Sequence, residues 1–373
     1  MIDANASQRI ERLLPLAKAI KRVMSLSPLE PRRLARAAAF RRTLASPVTV
    51  ASALPPTAIA LRDGVPVRAE ATLDASSYAP VPVDAKPVET GDPLPAGADA
   101  VAPMDAIEVR GAATYVVAPL AAGDGVLPAG ADLPAGEMVL RRITRRQRAI
   151  DVAAAAMMGL AELEVRAPRI RIAAARSARN SVIDAIMELL ARAVEGMAGA
   201  VSMAAPSRTG LEAALDDTES DLVIVVGGSG TGRRDRSVCE LARRGKLEFH
   251  GVGLTPGETA ALGFIGPRPV LVVPGRLDAA LAVWLTLGRP MLLQLAGCKD
   301  MEPVTSDKLA QKITSTLGLA EFVPVFCSGE GLRPLASGYL TLHALMRADG
   351  YVLVPAGSEG YPAGATVEMR PLP

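Results

Sequence analysis

Apolar positions along the chain change their period several times, and each change marks an element. Ile10, Leu13, Leu14 and Ala17 recur at helical spacing within a stretch from 8 to 42 that is rich in Leu, Ala and Arg. Ser27-Pro28 and Glu30-Pro31 interrupt that stretch, so the pattern predicts two short helices. From Pro47 to about Gly136 the texture becomes Val-Pro-Ala alternation with frequent Gly, Asp and Pro, as in Val65-Pro66-Val67 and Tyr115-Val116-Val117. This reads as a small irregular β domain. Arg141 to Leu160 returns to a helical pattern, with the run Ala153 to Ala156 before Gly159 as a stop. A β insertion inside a helical domain explains that order.

After Pro168 the pattern alternates: a strand at Ile170-Arg171-Ile172, a helix from Ser181 to Glu195, then the apolar strand Asp221 to Val226 running into a glycine-rich turn. A further apolar strand, Pro269 to Val273, leads to Pro274-Gly275 and a helix from Asp278 to Gly288 that holds Trp284, the only tryptophan. Such alternation predicts an α/β sheet domain. From Cys298 onward short strands are punctuated by Gly and Pro and close on Ala365 to Met369, a compact β domain. The expected fold class is therefore multidomain α/β with a β insertion. Its parts are a helical domain at 1–47 plus 136–166, the insertion at 48–135, the α/β domain at 167–297 and the C-terminal β domain at 298–373.

Composition narrows what these domains do. A length of 373 residues suits two to four domains at roughly 100 to 200 residues each. Lys plus Arg number 41 against 39 Asp plus Glu, so charge alone implies neither nucleic acid nor an acidic membrane as partner. Aromatics at 3% argue against base-stacking platforms. Cys239, Cys298 and Cys327 show no metal-ligand spacing and no disulfide framework. The first 27 residues carry scattered cations and no apolar block typical of export, and no stretch makes a good membrane span, so a soluble cytoplasmic protein is expected. The run Arg141, Arg142, Arg145, Arg146 and Arg148 wraps around a helix at that spacing and reads as a solvated face. His250 and His343, the only histidines, stand alone among apolar or small residues and are read as structural.

The strongest chemical signal is Gly227-Gly228-Ser229-Gly230-Thr231-Gly232-Arg233-Arg234-Asp235, directly after a buried-looking strand. Glycines let backbone N–H groups approach a phosphate, the arginines add charge-assisted donors, and Asp235 is a candidate for a divalent cation or a substrate donor. The same residues also fit a mobile turn with a solvated arginine pair.

Here the sequence resembles the molybdopterin molybdenumtransferases, the MoeA and gephyrin E-domain family of molybdenum cofactor biosynthesis. Thr90-Gly91-Asp92-Pro93-Leu94-Pro95-Ala96-Gly97-Ala98-Asp99-Ala100-Val101 is similar to the family's T-G-x-P-x-P-x-G-A-D-A-V signature. Ala129 to Asp132 with Ala135-Gly136 resembles its G-E-D-I-x-x-G segment, and Gly227 to Asp235 has the length of its G-G-V-S-V-G-E-x-D loop. Pro256-Gly257 and Pro274-Gly275 are similar to its two Pro-Gly turns, and Ser337-Gly338, Ala348-Asp349-Gly350 and Ala363-Gly364 to its C-terminal β domain. The Gly-Ser-Gly loop with Arg234-Asp235 also resembles that of the MogA and MoaB adenylyltransferases.

The resemblance implies an elongated N-terminal part, a MogA/MoaB-like molybdopterin-binding sheet domain, a C-terminal β-barrel-like domain and a homodimer. It implies molybdopterin or its adenylate as ligand, molybdate as substrate, and Mg²⁺. On it, Asp63, Thr90, Asp132 and Asp235 are the candidate catalytic residues, with Asp235 and Asp63 holding Mg²⁺. Residues 227 to 234, Pro256, Gly257, Pro274, Gly275, Arg276 and Ser337 line the cofactor. The departures are specific: Arg176-Ser177-Ala178-Arg179-Asn180 replaces an acidic T-G-D-E-L stretch, and Thr255 and Glu258 stand where two lysines would attract molybdate. Three readings follow: a cofactor-inserting transferase, a non-catalytic carrier or chaperone serving a molybdoenzyme, and an adenylyltransferase.

Overall fold

The structure is a computed structural model that describes residues 8–140, 144–175, 181–197, 199–204, 208–299 and 303–373. The chain divides into two compact units. One comprises Met1–Ala45, Thr144–Val152 and Glu162–Pro373, the other Ser46–Ile143 and Ala153–Ala161.

The larger unit is built on a six-stranded sheet in the order Ala200–Met203, Arg169–Ala174, Leu222–Val226, Arg268–Val273, Ala261–Ile265, Lys246–His250. The first four strands are parallel and the last two antiparallel. Leu222–Val226 is β-branched and leucine throughout and wholly buried, as a central parallel strand covered on both faces must be. Its alternate residues feed two cores. Leu222, Ile224 and Val226 pack with Ile186, Leu190 and Val194 of the helix Ser181–Gly196, while Val223 and Val225 pack with Leu211, Leu215 and Leu241 on the other face. The result is the expected helix–sheet–helix sandwich, with the glycine loop leaving the carboxyl end of its middle strand.

The chain then changes sheets at one residue. Gly251 (φ 99°) separates Lys246–His250 from Val252–Thr255, which instead pairs with Leu14–Pro15 on one side and Ala320–Ser328 on the other. A Cβ at Gly251 would lie 2.5 Å from Ile10 Cγ2, so only glycine fits the corner. Val252–Thr255 thereby belongs to the seven-stranded C-terminal sheet, whose core includes stacked Phe322 and Tyr351 rings 4.4 Å apart.

Three local expectations change. The first helix is Leu16–Met24, but in place of a second stands the strand Arg32–Ala35, paired antiparallel with Glu162–Arg166. Pro31 and the alternating exposure of Arg32–Ala35 explain it, because a half-buried edge outweighs the helix propensity of Arg, Leu and Ala. Arg145, Arg146 and Arg148 precede the helix Ala149–Met157 and do not lie on it, whereas Arg141 and Arg142 fall outside the described residues. The helix expected to stop at Gly288 continues: Leu277–Val283 passes through a π segment, Trp284–Gly288, into Arg289–Leu295. Gly288 serves packing, since a Cβ there would meet the Trp284 ring at 2.5 Å.

The smaller unit is a set of short sheets around two clusters of Val and Ala. The twelve-residue signature forms its turn and entry strand. Gly91 and Gly97 take φ of 96° and 87°, the Asp99 carboxylate accepts from Ala69 N–H at 2.6 Å, and Ala100 and Val101 are fully buried in the strand Ala100–Pro103.

Candidate functional site

In the larger unit four segments converge at the carboxyl ends of the parallel strands, the place where open α/β sheets form binding crevices. The glycine loop and the Pro274-Gly275 turn touch: a Cβ on Gly275 would stand 3.4 Å from Gly227 Cα. Ser229 Oγ and Thr259 Oγ1 are hydrogen-bonded at 2.8 Å, which joins the loop to the segment after Pro256-Gly257. Arg276 pairs with Asp278 at 2.6 Å and its guanidinium lies 5.1 Å from the Tyr339 ring centroid, while Leu340 N–H donates to Asp278 Oδ2 at 3.2 Å. The hydrogen bonds and charge of Asp278 hold Arg276 above the ordinary arginine range, with Glu258 adding to the effect. Ser337 Oγ and the Gly338 N–H both donate to the buried Glu321 carboxylate, the second at 3.1 Å. Loop, both turns and Ser337 thus stand in one unit.

The loop's backbone is polarised. Gln8, 7% exposed, donates from Nε2 to the carbonyls of Gly228 (2.7 Å) and Gly230 (2.6 Å), and Val238 N–H fixes its amide by donating to Oε1 at 3.2 Å. His250 Nε2 lies 2.8 Å from the carbonyl between them, that of Ser229. Three successive carbonyls are therefore occupied from one protein wall. By contrast, the N–H groups of Gly228, Ser229, Gly230 and Thr231 meet no acceptor among the described residues. Successive backbone N–H groups without acceptors form an anion-binding concavity. Gly227 (φ 83°) and Gly228 (φ 67°) permit this path, and a Cβ at Gly228 would lie 2.4 Å from Ser237 Oγ. Arg233 and Arg234 are exposed beside it. Asp235 folds back to take the Gly232 N–H at 3.2 Å.

The helix-entry residue Ser237 completes the frame by donating to the Gly227 carbonyl at 2.9 Å. Gln8 and Ser237 were not legible as site residues, because nothing in their own sequence surroundings marks them. His250 keeps a structural role, and that role is on the loop.

The other expected carboxylates lie in the smaller unit. Asp63 Oδ1 accepts from both Thr90 N–H (2.8 Å) and Thr90 Oγ1 (3.0 Å), so these two candidates are adjacent, and both are exposed. Asp132 is exposed and its own N–H donates to Leu54 O at 3.0 Å. The replaced acidic stretch at 176–180 falls outside the described residues. Near Pro256-Gly257, Glu258 carries its carboxylate onto the Gly257 N–H at 3.1 Å. Among the described residues no three His, Cys, Asp or Glu side chains cluster as a metal site, and no helix is long and apolar enough to cross a membrane.

Comparison with known proteins places this geometry. The MoeA N-terminal region (domain I and II) matches residues 14–159, a probable molybdopterin binding domain matches 173–294, and the MoeA C-terminal region (domain IV) matches 307–372. A molybdopterin biosynthesis protein of Methanocaldococcus jannaschii is 29% identical over 155 residues, 41% of this chain and 36% of that one. Molybdopterin molybdenumtransferase 2 of Mycobacterium tuberculosis is 27% identical over 352 residues, 82% of this chain and 86% of the relative. The crystal structure of the MoeA molybdopterin biosynthesis protein from Pyrococcus horikosii superposes with a TM-score of 0.73 at 22% identity, covering 97% of this chain and all of that one. With the N-terminal, molybdopterin-binding and C-terminal regions present in order, the chain belongs to the MoeA family of molybdenum cofactor biosynthesis proteins.

Proposed function

We propose that this protein binds molybdopterin or its adenylate and assists Mg²⁺-dependent insertion of molybdate. The observation that carries the proposal is the row of four acceptor-free N–H groups from Gly228 to Thr231, backed by carbonyls tied to Gln8 and His250. A phosphate on that row would receive backbone donors already held in place, with Arg233 or Arg234 adding charge-assisted bonds. Arg276, steered by Asp278 and Tyr339, would border the ligand from the second Pro-Gly turn. Thr90 and Asp63, held together in the smaller unit, and Asp132 are the remaining polar groups assigned to the reaction. Mg²⁺ fits through one hard oxygen donor, Asp235, beside a phosphate site, since Mg²⁺ is commonly held by one or two carboxylates with substrate phosphates and water. Bound there, it would neutralise phosphate charge. The proposed setting is the cytoplasm, as a homodimer, without nucleic acid or membrane.

A second reading, a carrier or chaperone that delivers cofactor to a client molybdoenzyme, is favoured by one detail. Where the family resemblance expects lysines, Glu258 points a carboxylate at the Gly257 N–H, an acceptor in place of a cation. The adenylyltransferase reading rests on Arg234-Asp235 alone. Purified protein mixed with the molybdopterin adenylate, then given molybdate and Mg²⁺, separates the first two: AMP release supports the transferase and binding without release supports the carrier, whereas pyrophosphate released from ATP in a separate mixture with molybdopterin supports adenylyl transfer.

A further inference from the structure

Residues 9–18 and the edge strand Lys246–His250 enclose a cavity of about 490 Å³ on the side of the sheet where that strand ends the order. Arg9, Arg12 and Lys18 line it against a single carboxylate, Glu11. These three cations are exposed and make no ion pair or hydrogen bond among the described residues. Their neighbours differ: Arg22 pairs with Glu248 at 3.1 Å, and Lys246 approaches the same carboxylate at 3.8 Å. Unmatched cations around a concavity create a positive potential that an anion relieves. Leu14, Leu247 and Phe249 supply an apolar wall, which suits an organic body rather than a bare inorganic ion. A larger groove of about 860 Å³ at the amino ends of the strands lacks this signature, because its Arg244 is already paired with Asp216 and its Arg268 bonds the Leu215 carbonyl and Ser220.

We propose that the cavity beside Arg9, Arg12 and Lys18 is a second ligand site that takes an organic phosphomonoester, its phosphate on the three cations and its apolar body on Leu14, Leu247 and Phe249. The site uses none of the loop's N–H groups and so stands apart from the pterin reading. It shares one wall with it, since His250 lines the cavity and touches the Ser229 carbonyl. Occupancy is thereby sensed by the same imidazole that braces the glycine loop.

The chain's two histidines make this testable by imidazole NMR on the full-length protein. The probes are 1-naphthyl phosphate, inorganic phosphate and 1-naphthol. Naphthyl phosphate is expected to shift the His250 signals and leave His343 unmoved, with inorganic phosphate binding at least about tenfold more weakly and naphthol not binding. The triple variant Arg9→Gln, Arg12→Gln, Lys18→Gln should lose at least about tenfold in affinity, by the loss of charge-assisted contacts, with an unchanged melting temperature. A His250 shift that persists undiminished in the triple variant would put the anion on the glycine loop and overturn the proposal. So would equal affinity for inorganic phosphate, or no His250 shift at millimolar probe.

Discussion

At the residue scale the path of the glycine loop is held by side chains that bind its backbone. Gln8, itself buried, donates to two carbonyls of the loop and takes one helix N–H. Gln8→Ala should therefore take the side-chain donor from the half-buried Gly230 carbonyl and leave Gly228 with the Ser237 N–H alone, at a cost of about 1 to 3 kcal/mol in stability, and weaken molybdopterin binding about tenfold. Gln8→Glu should be worse, because a carboxylate cannot donate to carbonyls. Melting curves alongside calorimetry check both. The glycine loop was legible in the sequence, since glycines after a β-branched run advertise a phosphate turn; its braces were not, because Gln8 reaches the loop across 220 positions of sequence. Thr255 and Glu258 make a second residue-scale case. Molybdate carries two negative charges, and each charge-assisted contact is worth about 1.5 to 3 kcal/mol. Thr255→Lys with Glu258→Lys should raise molybdate affinity by about a hundredfold if the contacts add, measured by calorimetry. Tight binding by the unaltered protein would show that Arg233, Arg234 or Arg276 already serves.

At the element scale, periodicity located the strands Arg169–Ala174, Leu222–Val226 and Arg268–Val273 and the helix Ser181–Gly196 because their burial is strongly patterned, and it left the strands Lys246–His250 and Ala261–Ile265 and the helices Arg208–Asp216 and Ser237–Arg244 unread. It failed where tertiary contacts outweigh local preference. Arg32–Ala35 is a strand since Glu162–Arg166 offers it a partner, and the helix runs through Gly288 since Trp284 occupies the space that a side chain there would need. The helix Ala149–Met157 carries its own start signal in Asp151, which accepts the Arg148 N–H at 2.8 Å across the first turn. Burial pushes the Asp151 carboxyl up, but the hydrogen bonds and charge of Arg148 outweigh it, and the net position is below the usual aspartate value. A carboxyl lowered in the folded state stabilises fully above its unfolded pKa, and that contribution fades as pH falls through the lowered value. Asp151→Asn should thus lower the melting temperature by a few degrees near neutral pH, with the difference from the unaltered protein shrinking in acid.

At the scale of the whole molecule, the succession of helical, β and α/β textures was readable because each burial pattern has its own period. The roles of Asp63 and Asp132, exposed carboxylates of the smaller unit, were not readable from period, since no local pattern encodes what an exposed carboxylate binds. A homodimer is the expected assembly: Ile150 and Met157 on one short helix are 61% and 62% exposed, an apolar surface suited to a copy of itself. Light scattering at micromolar concentration should give twice the 38.7 kDa chain mass, and a monomer there would count against it.

The central claim is that the loop from Gly227 to Asp235 holds the phosphate of molybdopterin, and it is tested most directly by the affinity of the purified protein for molybdopterin with and without Arg233→Ala and Arg234→Ala. The account predicts binding that weakens by about tenfold or more in the double variant, as lost charge-assisted bonds require, with folding unaltered because both side chains are exposed. Failure of the unaltered protein to bind molybdopterin, or equal affinity in the double variant, would contradict it.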